Sequence, residues 1–559
     1  MKLIDPHRPH DRVDPKAGPT SSNAHSLGRS TMQNTPHLPS LSLVAALLIT
    51  CPAWSHTEAH TSLYEAREKD WRNGAVVYQI LVDRFVPSAN LDNKKHLYPA
   101  PKVLHDWHTV PQRGVDLADQ KLNSQELAFW GGDLHSARSR LDHVQQLGAT
   151  AVYLNPIHLA WTNHKYDALD FKAISPEFGT REDFKQFARD AHQRGMKVVL
   201  DGVFNHMGRN SPSFKHAMAD PQSPWRNWFA IGPQYKGGAR VWTGYQNLPE
   251  LNLEHPPVRQ YLYEAPDSVL RGYLRDGADG WRLDTAFELG HRYLQDLQRA
   301  ARKEKKDALI VGEIVNYPDQ WLRSMDGVMN FTLRQIILGL AQGELSTTAA
   351  ARMTERLVND AGIEPMLKSW NVIDNHDIPR IHTQLPDVRQ RRLVQALQFT
   401  LPGSPNVYYG SEVGMTGGGD PENRGPMRWD LVRADQPELV WMKRLIALHQ
   451  GHRALRVGDY RRIETERLFA FERHTDRALD TRIVLANPGN TPVTEKIMVA
   501  NAALMDDTPL VNLLADDPRQ TVTTMGPGLI TVTVPAHSVM VLQPMERDLG
   551  GYSRYKRVR

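Results

Sequence analysis

Gly280-Trp-Arg-Leu-Asp284 is a short, mostly apolar stretch that ends on a carboxylate, and similar stretches recur along the chain. Such a stretch predicts a buried β-strand whose polar last residue lies at one edge of a parallel sheet. From residue 75 onward, these strands alternate with longer helical patterns, for example over 134–147 and 181–194, which is typical of repeated βα units. The pattern predicts an α/β fold, a (β/α)8 barrel. The predicted strands cover residues 76–81, 151–154, 197–200, 280–283, 309–311, 327–329, 372–373 and 406–409.

Two further regions interrupt or follow the predicted barrel. Residues 205–253, after the third strand, are rich in Trp, Gly and Pro and predict a small excursion domain between the barrel parts 56–204 and 254–454. After residue 455, short apolar stretches between Gly, Pro and Asn turns predict a C-terminal antiparallel β-sandwich over 455–545. A length of 559 residues is too great for one compact core, which agrees with this division.

The charge balance argues against a polyanionic partner. The 67 Lys and Arg residues nearly balance the 63 Asp and Glu residues, so nucleic acid is not predicted as a partner. The basic residues at the end of the chain, within 546–559, are interpreted as a solvated tail.

Residues 1–55 carry a targeting pattern. The apolar run from Leu41 to Cys51 is too short to span a bilayer, which needs about 20 residues. Small residues just before His56 predict signal-peptide cleavage at that point. We therefore expect export to the periplasm or the medium, without stable membrane insertion after cleavage. A tail on a cytoplasmic enzyme, or a true start at Met32, remains an alternative.

Four carboxylates close a predicted strand or the short turn after it and should therefore share one face of the barrel: Asp201, Asp284, Glu313 and Asp377. Any one of them alone would equally predict a helix cap. Retaining cleavage of a glycosidic bond needs two carboxyl groups about 5–5.5 Å apart. Because neighbouring strands lie about 4.8 Å apart, Asp284 and Glu313 on the fourth and fifth strands meet this requirement.

The surroundings of these two carboxyl groups predict different roles. Arg282 precedes Asp284 by two residues on the same face of the strand, which favours an ionised nucleophile. An apolar approach to Glu313 should raise the pKa of that carboxyl group and favours a general acid. Asp377 would then stabilise the oxocarbenium-like state or bind sugar hydroxyls.

The chain also resembles a known family. Asp201-Gly-Val-Phe-Asn-His206, Gly280-Trp-Arg-Leu-Asp284, Val311-Gly-Glu313 and Asp374-Asn-His-Asp377 resemble, in order, the four signature segments of the α-amylase family (glycoside hydrolase family 13, clan H). The motifs are nearest to those of maltodextrinase, neopullulanase and cyclodextrin-processing members. The resemblance implies a TIM barrel, with Asp284 as nucleophile, Glu313 as acid/base and Asp377 as transition-state stabiliser.

The same resemblance implies the residues that bind sugar. His164-Lys-Tyr-Asp167 looks like the turn whose aromatic ring stacks beneath the glucose being cleaved. Gly417-Gly-Gly-Asp-Pro-Glu-Asn-Arg424 resembles a loop that binds the next glucose, although its composition is also typical of a Gly-rich surface turn. The implied substrate-binding residues are Tyr166, Asp167, Asp201, His206, Arg282, His376, Asp420 and Arg424.

Calcium is the one cofactor that the resemblance suggests, and no organic cofactor is implied. One family site pairs Asn205 with a His after the nucleophile, but Phe287-Glu288 stand there, which argues against that site. Another family site resembles the loop after the first strand together with a Gly-Gly-Asp turn, and its oxygen ligands would suit calcium. A plain solvated loop is the alternative, because Lys94 and Lys95 lie in it. The implied ligands are Asn90, Asp92, Asn93 and Asp133.

The expected function is retaining hydrolysis of α-glucosidic bonds in starch-derived glucans or maltooligosaccharides. Thr285, after the nucleophile, resembles relatives that act on α-1,4 bonds. Three alternatives stay open: an α-glucan transglycosylase, an α-1,6-acting glucosidase, and a non-catalytic binding protein on the same barrel. The excursion offers five rings for sugar stacking or for core packing, namely Trp225, Trp228, Phe229, Trp242 and Tyr245.

Overall fold

The structure is a computed structural model that describes residues 63–517, 522–546 and 550–557. The predicted signal peptide and its cleavage site lie outside the described residues. Within those ranges, no helix has the length and apolar character needed to span a membrane.

Eight parallel strands close into a barrel, which confirms the predicted (β/α)8 fold. Each strand pairs with its neighbours in chain order, and the first strand also pairs with the last. The seventh strand starts two residues before the predicted 372–373. The strands are β1 Val77–Ile80, β2 Ala151–Leu154, β3 Lys197–Gly202, β4 Gly280–Leu283, β5 Leu309–Ile314, β6 Gly327–Asn330, β7 Trp370–Val372 and β8 Ser404–Tyr408.

Helices connect the strands, and Arg181–Gln193 shows why these segments are helical. Thr180 and Asp183 form a capping box at its start, and Phe184 and Phe187 lie on its buried face. The predicted helix 134–147 is two helices. The helices are Leu91–Lys94, Leu134–Arg138, Leu141–Leu147, Arg181–Gln193, Pro212–Ala219, Pro256–Arg259, Val269–Arg275, Ala286–Glu304, Phe331–Gln342, Thr347–Ala361, Ile363–Lys368, Ile381–Gln384, Val388–Thr400, Pro437–Gly451 and Arg453–Val457.

The alternation of side chains along β4 separates the core from the barrel interior. Trp281 and Leu283 belong to the large apolar core between strands and helices. Because successive side chains of a strand point to opposite faces, Arg282 and Asp284 point into the barrel. The rest of the interior is filled by an apolar cluster that includes Trp370.

The segment between β3 and the helix Pro256–Arg259 forms an excursion, as the sequence predicts. It contains the helix Pro212–Ala219 and is otherwise mostly irregular. Isolated backbone bridges, such as His206 with Glu250 and Phe229 with Leu251, fold it back on itself. The excursion therefore starts and ends beside the carboxyl end of β3.

The C-terminal part is antiparallel, as predicted. One sheet has the order β9-β10-β11-β16-β13-β14, and a second sheet pairs β12 with β15. Apolar residues from both sheets share one core, which is the arrangement of a sandwich. These strands are β9 Asp459–Arg462, β10 Phe469–His474, β11 Arg482–Asn487, β12 Val493–Met498, β13 Pro509–Asn512, β14 Val522–Thr524, β15 Leu529–Val534 and β16 Ser538–Pro544.

Candidate active site

A cavity of about 650 Å³ opens at the carboxyl ends of the barrel strands. This is the end at which barrel enzymes carry their catalytic groups. Its wall combines residues from the strand ends with residues from the loops after β1, β2, β3 and β8. The lining includes Arg113, Asn123, Gln125, Glu126, His164, Tyr166, His206, Trp242, Tyr245, Asp284, Asp377, Asp420 and Arg424.

The guanidinium of Arg282 is the electrostatic centre of the site. Its Nη1 donates to Asp284 Oδ1 at 2.9 Å and to Asp201 Oδ1 at 2.8 Å, and its Nη2 lies 3.0 Å from Glu313 Oε2. Arg282 is fully buried. Register explains the arrangement, because Arg282 lies opposite Asp201 on β3 and opposite Val311, two residues before Glu313, on β5. Three carboxylates that are distant in sequence therefore meet one cation.

One cation does not neutralise the negative charge of this cluster. Burial raises the pKa of Asp284 well above its ordinary value, against the opposing effect of Arg282. Burial also raises the pKa of Glu313, and the negative charge of Asp377 adds to the shift. Arg282 alone therefore does not keep Asp284 at its ordinary acidity, which differs from the expectation drawn from sequence. Asp284 and Glu313 together retain a proton at a higher pH than ordinary carboxyl groups.

Thr285 holds Glu313 through its backbone. Its φ of +41° lies in the left-handed region, which a β-branched residue rarely adopts. In this conformation its backbone N–H donates to Glu313 Oε2 at 3.0 Å. Strain of this kind persists where the surrounding structure determines the position of a functional group.

Tyr166 and His376 form a flat platform beside the carboxylates. Their rings lie parallel, with centroids 5.5 Å apart. Gln79 donates to Nδ1 of His376, so Nε2 carries the proton and donates to the Tyr166 hydroxyl at 2.6 Å. That hydroxyl donates in turn to Asp201 Oδ2 at 2.8 Å. Burial lowers the pKa of His376 well below its ordinary value, so the ring is neutral.

Three buried polar atoms around the cavity have no hydrogen-bond partner within the described residues. They are Asp284 Oδ2, Asp377 Oδ2 and His206 Nε2. Burial lowers the pKa of His206 to about 3, so this ring is also neutral. Buried polar groups normally have partners. Two acceptors and one ring nitrogen are thus available for the hydroxyls of a bound sugar.

Arg424 connects the catalytic carboxylates to the loop after β8. Its Nη2 lies 3.4 Å from Asp377 Oδ1, its Nη1 lies 3.5 Å from Asp420 Oδ1, and its Nε donates to the His376 carbonyl. Although burial raises it, the positive charge of Arg424 lowers the pKa of Asp420 to about 2. The Gly-rich segment is therefore part of the cavity wall and not only a surface turn.

Asp167 is placed differently from the expectation. It is fully buried, and it accepts hydrogen bonds from the backbone and the hydroxyl of Thr162. The cavity is lined by its neighbour Tyr166 and not by Asp167. One oxygen of its side chain fixes the turn that presents Tyr166, and direct binding of substrate by Asp167 stays a prediction.

The sequence reasoning missed part of the wall. The segment after β1 contributes Arg113, Asn123, Gln125 and Glu126 to the cavity wall. In the sequence, the recognisable pattern in this segment is a capping box from Asn123 to Glu126. Nothing in that pattern indicates the direction in which the residues face.

The five rings of the excursion divide into two groups. Trp242 and Tyr245 line the cavity with stacked rings 5.6 Å apart. In contrast, Trp225, Trp228 and Phe229 pack with the core. The rings of the first group, not the second, are placed for sugar contact.

The predicted calcium ligands do not come together. Asn90, Asp92 and Asn93 are exposed, whereas Asp133 is buried and accepts from Ser136 N at 2.6 Å as a helix cap. The Lys94 ammonium lies 2.7 Å from Asp133 Oδ2 and 3.3 Å from the Glu177 carbonyl oxygen. The ammonium group of Lys94 thus pairs with Asp133, the one buried carboxylate among the predicted calcium ligands. In the described part of the chain, no group of three or more His, Cys, Asp or Glu side chains is placed to hold a metal. These residues do not fit a calcium site.

Comparison with known proteins identifies relatives of the whole barrel. Residues 79–438 match the family described as alpha amylase, catalytic domain. A cyclomaltodextrinase from a Bacillus species is 34% identical over 75% of this chain and 73% of its own length. The intracellular maltogenic amylase of Bacillus subtilis is 33% identical over 69% of this chain and 63% of its own length. The structure of a cyclic α-maltosyl-(1→6)-maltose hydrolase from Arthrobacter globiformis has a TM-score of 0.70 at 29% identity, covering 85% of this chain and 99% of that one.

The predicted export to the periplasm or the medium is wrong. The matching relatives include enzymes that are named as intracellular, which overturns that expectation. The residues on which it rested lie outside the described part of the chain.

The fold, the cluster of carboxylates and the relatives agree with one another. The family match covers the barrel from β1 to the helix Pro437–Gly451, and the solved relative covers most of the chain. The predicted enzyme class, a glycoside hydrolase, is confirmed. The chain belongs to the α-amylase family.

Proposed function

We propose that this chain hydrolyses α-glucosidic bonds, chiefly α-1,4 bonds of maltooligosaccharides and related glucans, with retention of configuration. One observation carries the proposal. Leu283 lies opposite Gly312 in the register of β4 and β5, so Asp284 and Glu313 stand side by side. The backbones of neighbouring strands lie about 4.8 Å apart. Side chains from adjacent strand ends can therefore bring their carboxyl groups to the separation of about 5–5.5 Å typical of retaining enzymes, whereas inverting ones need about 6.5–9.5 Å.

The two carboxyl groups have different tasks in the proposed reaction. Asp284 Oδ2 attacks the anomeric carbon while Glu313 transfers its proton to the departing glycosidic oxygen. This step forms a bond from Asp284 to the sugar and releases the leaving sugar with a new hydroxyl. Water then adds to the anomeric carbon, Glu313 takes a proton from that water, and the bond to Asp284 breaks.

The other residues of the site support the charge that develops on the sugar ring. Asp377 lines the cavity, and its Oδ2 accepts no hydrogen bond from the described residues, although it lies 3.1 Å from Nε2 of His376. His206 and His376 are neutral, so neither ring adds positive charge next to an oxocarbenium-like ring, and Nε2 of His206 can hydrogen-bond to a sugar hydroxyl. Tyr166 offers a ring for stacking. The relatives named cyclomaltodextrinase and maltogenic amylase support α-glucans as the substrate class.

Incubation with maltoheptaose tests the proposal. Hydrolysis predicts shorter oligomers with free reducing ends, separated by size, and proton NMR at early times should show the α anomer first. A β anomer formed first would contradict retention. Longer or cyclic products would identify a transglycosylase, the main rival. A parallel panel of starch, pullulan, cyclodextrins and isomaltose determines the linkage, and preferential cleavage of isomaltose would overturn α-1,4 specificity.

A further inference from the structure

The segment between β1 and the helix Leu134–Arg138 supplies a cavity wall that the proposed reaction does not use. Within it, residues 116–117 pair with residues 122–123 as a small hairpin. Gly114 N donates to Gln125 Oε1 at 2.7 Å, which ties the approach to the hairpin to its exit. Arg113, Gln125 and Glu126 face the same cavity as Asp284 and Asp377.

This wall is fixed to the turn that carries Tyr166. Asn163 N donates to the Glu126 carbonyl at 2.8 Å, and Asn163 Nδ2 donates to the Gln125 carbonyl at 2.8 Å. His164 also joins the two segments, because its Nε2 lies 3.1 Å from Glu126 Oε2. The position of Glu126 relative to Tyr166 is therefore set by several bonds.

The Glu126 carboxylate is half-buried and held in place, but its capacity to accept hydrogen bonds is not exhausted. Its side chain is 22% exposed. Oε1 accepts from Asn123 N at 2.7 Å, and Oε2 accepts from His164, whose Nδ1 already accepts from Tyr166 N and so leaves the proton on Nε2. A carboxylate has about four lone-pair positions. At least two positions of an ionised acceptor remain, on a side chain that borders the cavity.

The surroundings place Glu126 next to the second sugar position. Arg424 joins Asp377 to Asp420, and Asp420 and Arg424 are the two residues of the Gly-rich loop that the family resemblance implies for binding the next glucose. The charge of Asp420 acts on Glu126, and His164 counteracts both that charge and burial to keep the pKa of Glu126 below its ordinary value. Glu126, His164 and Asp420 all line the cavity that Arg424 also lines.

We propose that Glu126 is a specificity-determining residue that binds the glucose unit held by Asp420 and Arg424, selecting substrates with at least two glucose units on the side of Asp284. Sugar hydroxyls donate hydrogen bonds, and a preorganised ionised acceptor makes stronger bonds than a neutral one. This inference rests on the proposed hydrolysis, because it concerns the substrate range of the same site.

Two glycosyl fluorides that differ by one glucose unit test the inference. α-Glucosyl fluoride leaves the second position empty, whereas α-maltosyl fluoride fills it, and both have the same leaving group. Glu126→Gln should lower kcat/KM for α-maltosyl fluoride by about tenfold or more, since a hydrogen bond to a charged group is lost. The value for α-glucosyl fluoride should stay within about twofold.

Controls separate binding from a structural role. Asp119→Asn changes an exposed carboxylate of the same segment and should affect neither substrate. Glu126→Ala should reproduce the loss on α-maltosyl fluoride, which excludes the amide introduced by Gln as its cause. Thermal melting of each variant excludes unfolding as the cause. Equal losses on both substrates would show that Glu126 only positions His164 and Tyr166, and no loss on either would also overturn the inference. A wild-type chain that cleaves neither fluoride would instead contradict the proposed function itself.

Discussion

At the carboxyl ends of β4 and β5 one guanidinium contacts three carboxylates, whereas in the loop after β1 one ammonium contacts one carboxylate. Arg282 is fully buried, and the charge around it is unbalanced, so the pKa values of Asp284 and Glu313 rise. Lys94 and Asp133 balance each other at 2.7 Å, and the pKa of Asp133 is lowered despite burial. Both regions pair a cationic side chain with buried carboxylates, but the carboxyl pKa values rise in the first region and fall in the second.

The difference shows what each region is built for. A balanced pair stabilises a loop, because each charge satisfies the other and no proton is retained. An excess of carboxylates is costly to bury, but it retains a proton for transfer and leaves unpaired acceptors for substrate. Charge balance therefore separates the catalytic region from the structural one. Five experiments test this distinction, starting with the largest expected effect.

Asp284→Asn removes the nucleophile from the unbalanced region. We expect kcat on maltoheptaose to fall on the order of 10⁴-fold, because no other carboxylate of the cluster faces the anomeric carbon in the same way. The control is Asp142→Asn, which removes a carboxylate that is 64% exposed and does not line the cavity and should leave kcat unchanged. Near-normal turnover of Asp284→Asn would refute the assignment.

Glu313→Gln removes the proton donor but leaves the nucleophile. Loss of general acid catalysis should lower kcat/KM for a maltooligosaccharide about 10²–10⁴-fold. The loss should be much smaller for α-maltosyl fluoride, since fluoride departs without a proton. Initial rates on the two substrates give the comparison. Equal losses on both would show that Glu313 does not act as the acid.

The pH dependence of kcat/KM reports the unbalanced charge directly. Activity needs an ionised Asp284 and a protonated Glu313, so it should fall below the lower apparent pKa and above the higher one, about tenfold per pH unit. Because burial raises both pKa values, the alkaline limit should lie above the ordinary Glu value of 4.5. The measurement is a profile on maltotriose from pH 3 to 9. An alkaline limit at or below 4.5 would contradict the raised pKa of Glu313.

Lys94→Met should affect stability and not chemistry. It leaves the buried Asp133 without its cation, which should cost about 1–3 kcal/mol in the free energy of unfolding. Lys95→Met is the matched control, because Lys95 pairs with the 90% exposed Asp92 and its loss should change stability by less than about 0.5 kcal/mol. Urea unfolding gives both values.

Chelation distinguishes the ammonium from a calcium ion in the same loop. If Lys94 provides the cation, EDTA should leave the Tm of the wild-type chain unchanged, and added calcium should not stabilise it. A fall in Tm with EDTA that calcium reverses would show a metal site that the geometry of the described residues does not fit.

The catalytic cluster was predictable because a barrel converts sequence order into position. Asp201 and Glu313 lie one residue before the ends of their strands and Asp284 directly follows its strand, and parallel strands end on the same face. The strand register then brings the charged side chains together, since Arg282 lies opposite Asp201 when β3 and β4 pair. The residues of the Gly-rich loop, Asp420 and Arg424, were accessible only through the family resemblance.

The loops were not predictable in the same way. Asn90 and Asp92 resemble metal ligands in the sequence, yet they point to solvent while Lys94 reaches Asp133. Glu126 had the pattern of a helix cap, and only the packing of its segment against the turn at Asn163 directs it to the cavity. A loop side chain has no periodic backbone constraint, so its direction depends on long-range contacts.

By itself, the sequence determined the barrel, the order of its strands and the carboxylates at their ends, because hydrophobic periodicity and strand alternation are local properties. The tertiary structure alone decided the charge balance around Arg282, the replacement of an expected metal ligand set by Lys94, and the inclusion of Glu126 in the cavity wall. Each of these depends on residues that are distant in the chain and adjacent in space, where burial and Coulomb interactions act.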